Sequence, residues 1–177
     1  MISEANAFLN RVSKLRGPDR SALKRAVGKP LNEANAAALS AFYRCLSRDT
    51  EKIPKWQEDR WFAVACFRCL WDAPAASIAP MEKVISNMIA SGELYDSTKH
   101  KIEVLLDYEW ESADNYMMLT KLTRLIKMIR SKTTSELPID LALLLSDLIY
   151  WNSDRQYVQR RWAREIFALV ITEDDET

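Results

Sequence analysis

Apolar positions recur at three- and four-residue intervals through most of the chain, the spacing of one buried face on an α-helix. From about Glu4 to Leu15, the residues Phe8, Val12 and Leu15 share a face, with Arg11 and Lys14 beside them. Gly17-Pro18-Asp19 ends that helix and opens a second, since a proline in the first turn lacks only an amide that has no helical partner there. The second helix, to about Val27, buries Leu23, Ala26 and Val27 and shows Lys24 and Arg25 to solvent before Gly28-Lys29-Pro30 stops it. Asn32 is the expected cap of a third, Ala-rich helix that ends in Phe42, Tyr43 and Leu46.

The fourth segment, about Pro54 to Asp72, opens polar and then turns apolar on every side through Trp61, Phe62, Val64, Cys66, Phe67, Leu70 and Trp71. A helix apolar all round is one the rest of a fold wraps, so it is expected to be the central core helix. Residues 72–80, rich in Ala and bracketed by Pro74 and Pro80, read as a linker. Further helices are expected over Met81–Ala90, after Ser97, after Ser112, over Ile139–Trp151 behind Pro138, and from about Asp154 to Ile171. The expectation is an all-α bundle of eight or nine helices with no strand. It would form an N-terminal lobe (1–73), a linker (74–80), a C-terminal lobe (81–172) and an acidic tail (173–177).

Composition narrows the function classes. With 48% apolar residues, 3 Gly and 6 Pro in 177, the chain can bury a sizeable core and has few breakers. Three cysteines, Cys45, Cys66 and Cys69, make no even-numbered disulfide framework and fit a reducing compartment. The first residues lack the basic and apolar regions of a signal peptide, and the most apolar stretch, Trp61 to Trp71, is too short for a membrane span. The expected location is the cytoplasm.

Candidate chemistry is sparse. His100, the only histidine, lies between Lys99 and Lys101 with no nucleophile at recognisable spacing. Cys66-Phe67-Arg68-Cys69 matches a C-x-x-C pair, but zinc takes four ligands and a redox pair takes a strand–helix context, so the thiols read as small core fillers. Neither a glycine-rich phosphate loop nor a calcium loop is present. No catalytic residue, metal ligand, cofactor or small-molecule substrate is expected. Arg68, inside the most apolar helix, is expected to find a structural ion pair.

Net charge is zero, from 25 Lys and Arg against 25 Asp and Glu, but the charge is uneven. Seven basic residues and one acid lie between Arg11 and Lys29; five and no acid between Lys121 and Lys132; four and no acid between Arg155 and Arg164. Helical phase turns Arg124 and Lys127 away from Leu122, Leu125 and Ile129, and sets Arg160 and Arg164 one turn apart on the face away from Val158 and Trp162. Like charges one turn apart repel by a few tenths of a kcal/mol each, roughly, so three such stripes suggest an external polyanion.

Several phrases, in order, resemble the CasB small-subunit family of type I-E CRISPR Cascade complexes. They are Gly17-Pro18-Asp19-Arg20-Ser21-Ala22-Leu23-Lys24-Arg25-Ala26-Val27-Gly28, then Ala41-Phe42-Tyr43-Arg44-Cys45-Leu46, then Leu122-Thr123-Arg124-Leu125-Ile126, then Pro138-Ile139-Asp140 with Trp151, and Arg160-Arg161-Trp162-Ala163-Arg164-Glu165-Ile166-Phe167. Departures are Glu93 where a basic residue often follows Ser-Gly, and Thr123 in place of one arginine of a pair. The resemblance implies a helical, non-catalytic subunit, usually in two copies, that contacts other Cascade subunits and helps hold crRNA-guided target DNA. Backbone contacts suffice for that task, because base pairing reads the sequence. The nucleic-acid-facing residues expected are Arg20, Lys24, Arg25, Lys99, Lys101, Arg124, Lys127, Arg130, Arg160 and Arg164. Two other readings are a DNA-binding regulator with a helix-turn-helix over 18–46, whose recognition helix would be unusually apolar, and a protein-only scaffold.

Overall fold

The computed structural model describes residues 1–47, 52–110 and 116–168. Among them are nine α-helices: α1 (Ile2–Ser13), α2 (Gly17–Arg25), α3 (Ala36–Cys45), α4 (Lys55–Arg68), α5 (Met81–Ala90), α6 (Thr98–Leu106), α7 (Met117–Lys132), α8 (Leu141–Ile149) and α9 (Tyr157–Phe167). A 3-10 turn covers Leu31–Glu33, and two strands, β1 (Ala73–Ala79) and β2 (Glu136–Ile139), complete the set. The helical bundle expected from periodicity is therefore present.

The central helix is α4, where every residue from Arg60 to Arg68 is buried. It packs against α1, α2 and α8, and α1 also lies along α8. Phe8 of α1 meets Phe42 and Trp61 edge-on, with ring centroids 6.0 and 5.1 Å apart, and Phe42 meets Phe62 at 5.4 Å. Aromatic edges against faces pack well because ring quadrupoles attract in that orientation. Arg60 carries a charge into this core. Its guanidinium lies 5.2 Å from each of the Trp56 and Trp110 rings, and it donates to the Leu148 carbonyl (2.8 Å) and the Trp56 carbonyl (2.6 Å). Burial pushes its pKa down to about 10; two π faces and two carbonyls replace the water it lost.

No strand was expected, and the segment read as a linker is a strand. β1 pairs in parallel with β2, Ala73 opposite Glu136 and Pro74 opposite Leu137, with an irregularity before Ala79 meets Ile139. The Ser135 carbonyl accepts from Asp72 (2.8 Å), and the Ala79 carbonyl from Asp140 (2.8 Å). Small residues and prolines obscure such a strand, because nothing alternates. Pro138 accordingly lies in β2, and the helix behind it starts at Leu141, capped by the Asp140 side chain on the Leu143 amide (3.0 Å).

Two caps differ as well. Asn35, not Asn32, caps α3 by accepting from the Ala38 amide (2.9 Å); Asn32 sits in the 3-10 turn and accepts from the Tyr116 hydroxyl (3.0 Å). The last helix starts at Tyr157, three residues beyond Asp154, after Gln156 adopts a left-handed backbone with φ 47°. That helix also ends at Phe167, short of the expected Ile171, because Ala168 turns to an extended backbone. The Ser112 cap and the acidic tail lie outside the described residues. No helix among the described residues is long and apolar enough to cross a membrane.

Candidate nucleic-acid interface

The ten basic residues separate by what holds them. Arg20 donates to the Trp71 carbonyl (2.9 Å) and pairs with Asp72 (2.9 Å), its side chain only 22% exposed. Arg130, from α7, donates to the Leu70 carbonyl (2.7 Å) and reaches the Thr133 and Thr134 carbonyls. Arg68 donates to the Trp71 carbonyl (2.8 Å) and, among the described residues, has no carboxylate partner, so the ion pair expected for it is replaced by a backbone contact. Three guanidiniums thus converge on the Leu70 and Trp71 carbonyls in the turn that follows α4. Charge-assisted hydrogen bonds to these carbonyls replace part of the hydration the cations lose on burial. Burial is still the largest influence on Arg68 and lowers its pKa. Arg20 and Arg130 hold the turn from α4 into β1.

Lys24 and Arg25 are exposed in the last turn of α2, because Ala22, Leu23 and Ala26 fix the opposite face in the core. Arg44, nearby, is taken by Asp19 (2.7 Å). The following turn needs Gly28. Its φ is 84°, and an added Cβ would lie 3.0 Å from Cγ2 of Thr123 on α7.

A second group lines a cleft of about 290 Å³ between α6 and α7. Val104, Leu125 and Met128 form its apolar part, while His100, Lys101, Lys121 and Arg124 bring the polar atoms. The cations here have soft partners: Lys101 Nζ is 3.7 Å from the Met128 sulfur, and Lys121 Nζ is 5.5 Å from the centre of the Tyr108 ring. Among the described residues, Lys101, Lys121 and Arg124 have no carboxylate partner. Lys127 is exposed on α7 one turn from Arg124 but does not line the cleft, and Lys99 is spent on Asp96 (3.1 Å). His100 is exposed and contacts Glu103 (3.1 Å).

A third group lies on α9. Val158, Trp162 and Ile166 are buried, which turns Tyr157, Arg160, Arg161 and Arg164 outward to line a cleft of about 250 Å³. Arg161 reaches inward to Glu82 and Asp147, whereas Arg160 and Arg164 are exposed and have no described carboxylate partner. The structure therefore groups Lys101 with Arg124, and Arg160 with Arg164. It leaves Lys24, Arg25 and Lys127 as open surface and assigns Arg20 and Arg130 to structural contacts. Lys121 and Tyr157 belong to these clefts and were not singled out from the sequence. For Lys121 the signal was there, since it opens the acid-free run on α7; for Tyr157 it was an aromatic residue one turn before Arg160 and Arg161.

Nothing in these groups forms a nucleophile–base pair. Cys45, Cys66 and Cys69 are buried and form no disulfide; burial pushes the Cys66 thiol well up and the Cys69 thiol to about 11, so neither of these two is a thiolate at neutral pH. Among the described residues no cluster of three His, Cys, Asp or Glu could hold a metal ion. On α3, the recognition helix of a helix-turn-helix reading, Ala38, Ala41, Phe42 and Cys45 are in the core.

The helical bundle thus leaves cations in two clefts whose described lining holds no carboxylate. A model of the family of CRISPR-associated protein Cse2 matches residues 19–167, and the chain belongs to that family. Among curated protein sequences none matches significantly. Solved structures share the fold. M. ruber CasB is 21% identical, with 94% of each chain covered and a TM-score of 0.68. A Cse2-family CRISPR-associated protein from Thermus thermophilus is 20% identical, covering 93% of this chain and 98% of its own, with a TM-score of 0.71. A chain of a CRISPR RNA-guided surveillance complex is 24% identical, covering 93% and 92%, with a TM-score of 0.70.

Proposed function

We propose that the protein is the non-catalytic small subunit of a type I-E Cascade surveillance complex, acting in the cytoplasm, where it helps hold crRNA-guided target DNA through contacts to the sugar–phosphate backbone. Its partners in this reading are the other Cascade subunits, a second copy of itself and the crRNA–target assembly. The observation that carries the reading is the set of cations at two clefts, Lys101, Lys121 and Arg124 at one and Arg160 and Arg164 at the other, that have no described carboxylate partner although the whole chain is neutral. Family membership and a fold shared with a chain of an RNA-guided surveillance complex support it. Lys24, Arg25 and Lys127 add exposed positive charge. Scattered cations without a base-reading motif suit backbone contacts, which position a strand and do not read it.

The test is charge reversal of Lys24, Arg25, Arg124, Lys127, Arg160 and Arg164 in the assembled complex. Target-DNA retention should fall nearly independently of sequence, and each lost phosphate contact should lower the salt slope of binding by about one unit. Normal assembly with undiminished retention would favour the protein-only scaffold.

A further inference from the structure

Tyr150 closes α8 and Tyr157 opens α9; both are about half exposed, at 47% and 45%, and their ring centroids lie 6.2 Å apart. The two rings stabilise one another to a degree, yet neither belongs to the core and about half of each stays open to a ligand. The connection between them is braced. Ser153 donates its amide to the Tyr150 carbonyl (3.1 Å), Gln156 to the Ser153 carbonyl (2.9 Å), and Gln159 Nε2 to the Trp151 carbonyl (2.6 Å). Gln156 is held in a left-handed conformation that a residue with a side chain seldom adopts, and that turn sets Tyr157 at the start of the helix.

Below the ring pair, the burial of Val158 and Trp162 fixes the rotation of α9, so Tyr157, Arg160 and Arg164 follow one another along one face. Arg161, between them in sequence, is compensated by Glu82 and Asp147, which leaves Arg160 and Arg164 as the uncompensated cations of the cleft. They are four residues apart, about 6 Å along the helix axis, a step suited to successive phosphates of an extended strand.

We propose that Tyr150 and Tyr157 form a stacking platform for unpaired bases, with Arg160 and Arg164 taking the adjoining phosphates, so that this end of the molecule binds single-stranded nucleic acid in preference to duplex. The inference rests on the proposed function and adds to it which part of the surface takes an unpaired strand and how. A duplex keeps its base faces stacked on one another and offers such rings nothing, whereas an open strand offers both a π face and a phosphate at each step. The two rings are tilted by 46°, so they present separate faces and do not clamp one base between them.

The experiment uses the assembled complex bound to target DNA, with 5-iododeoxyuridine placed in turn in the target strand and the displaced strand, and 5-iodouridine in the crRNA. Irradiation should attach one of these strands to Tyr150 or Tyr157, located by mass spectrometry of the digested subunit. In parallel, the pair Tyr150→Leu and Tyr157→Leu should weaken binding of a single-stranded oligonucleotide on the order of tenfold and leave duplex binding unchanged. Tyr150→Phe with Tyr157→Phe should behave as wild type, because the ring face is kept. Absence of crosslinks at both tyrosines from all three strands, or equal binding by the leucine and phenylalanine pairs, overturns the platform. Loss of retention on charge reversal together with neutral leucine variants would reject the platform alone; no loss on charge reversal would reject the proposed function itself. Crosslinking needs no variant, so a leucine pair that fails to assemble leaves the test standing.

Discussion

Arg161 on α9 donates from Nε to Oε1 of Glu82 on α5 at 2.8 Å, and its other end pairs with Asp147 on α8. One guanidinium therefore answers two carboxylates whose side chains are only 5% and 4% exposed. Asp147 also accepts from the Trp162 indole (3.0 Å), while the second oxygen of Glu82 is buried without a partner. Three helices are joined by a group in which negative charge exceeds positive.

Replacing Arg161 by methionine leaves two carboxylates in a poorly solvated site with nothing to balance them. Breaking a buried pair in this way costs about 3 kcal/mol, here toward the lower end because Arg161 is itself 42% exposed. Arg160→Met, one residue earlier on the solvent face, should change stability by less than about 0.5 kcal/mol. Urea unfolding of the two variants beside wild type checks the contrast.

The same group sets a pH dependence. Burial raises the Asp147 pKa above its ordinary 3.8, against the lowering effect of Arg161 and Trp162, and Glu82 adds to the rise. A raised pKa means that the folded state holds the proton more tightly than the unfolded one. The contribution of Asp147 to stability is then fully present below 3.8 and is lost as pH rises through the folded value. Asp147→Asn does not titrate, so the stability of wild type minus that of the variant should fall as pH rises from 3.8 and level off once Asp147 is ionised. Paired urea titrations over that range measure the difference directly; a difference that grows with pH would contradict it.

Gly28 meets two constraints at once, a φ of 84° and the approach of Thr123. A side chain in the left-handed region costs about 1–2 kcal/mol. Gly28→Ala should lose at least that much in chemical denaturation. Adding Thr123→Ala should restore only the part due to the clash, leaving the backbone cost in place.

Much of this arrangement was legible in the sequence. Long periodic segments such as 117–132 gave their buried faces directly: Leu119, Leu122, Leu125, Ile126 and Ile129 are all in the core. The continuously apolar stretch from Trp61 to Phe67 identified α4 as central for the same reason. β1 was hidden because Ala73-Pro74-Ala75-Ala76-Ser77-Ile78-Ala79 has no alternation, and its pairing with β2 joins segments about sixty residues apart that no local pattern connects. In the candidate site, helical phase gave exposure correctly for Lys24, Arg25, Arg124, Lys127, Arg160 and Arg164. It could not show that Arg20 and Arg130 are engaged, because the carbonyls they serve lie 51 and 60 residues away in sequence. A charge count sees a cation; only the fold shows whether it has already been answered.

That distinction supplies a prediction separating the two kinds of arginine. Arg20 and Arg130 each tie an element to the turn that follows α4, Arg20 from α2 to the Trp71 carbonyl and Arg130 from α7 to the Leu70 carbonyl. Truncating either to alanine removes charge-assisted hydrogen bonds worth about 1.5–3 kcal/mol; Arg130→Ala takes the side-chain donor from the Leu70 carbonyl, whereas the Trp71 carbonyl keeps Arg68 when Arg20 is lost. Arg124→Ala and Arg160→Ala remove exposed side chains with no described partner and should stay within about 0.5 kcal/mol of wild type. DNA retention in the assembled complex should sort the four variants the other way. Arg124→Ala and Arg160→Ala should weaken it at unchanged stability, and the salt slope should fall with them. Arg20→Ala and Arg130→Ala should act only through stability, so their retention should return to wild type at a temperature where the folded population is restored. If all four alter retention equally at matched stability, then Arg20 and Arg130 leave their carbonyls when nucleic acid binds, and the division between clamp and contact residues fails.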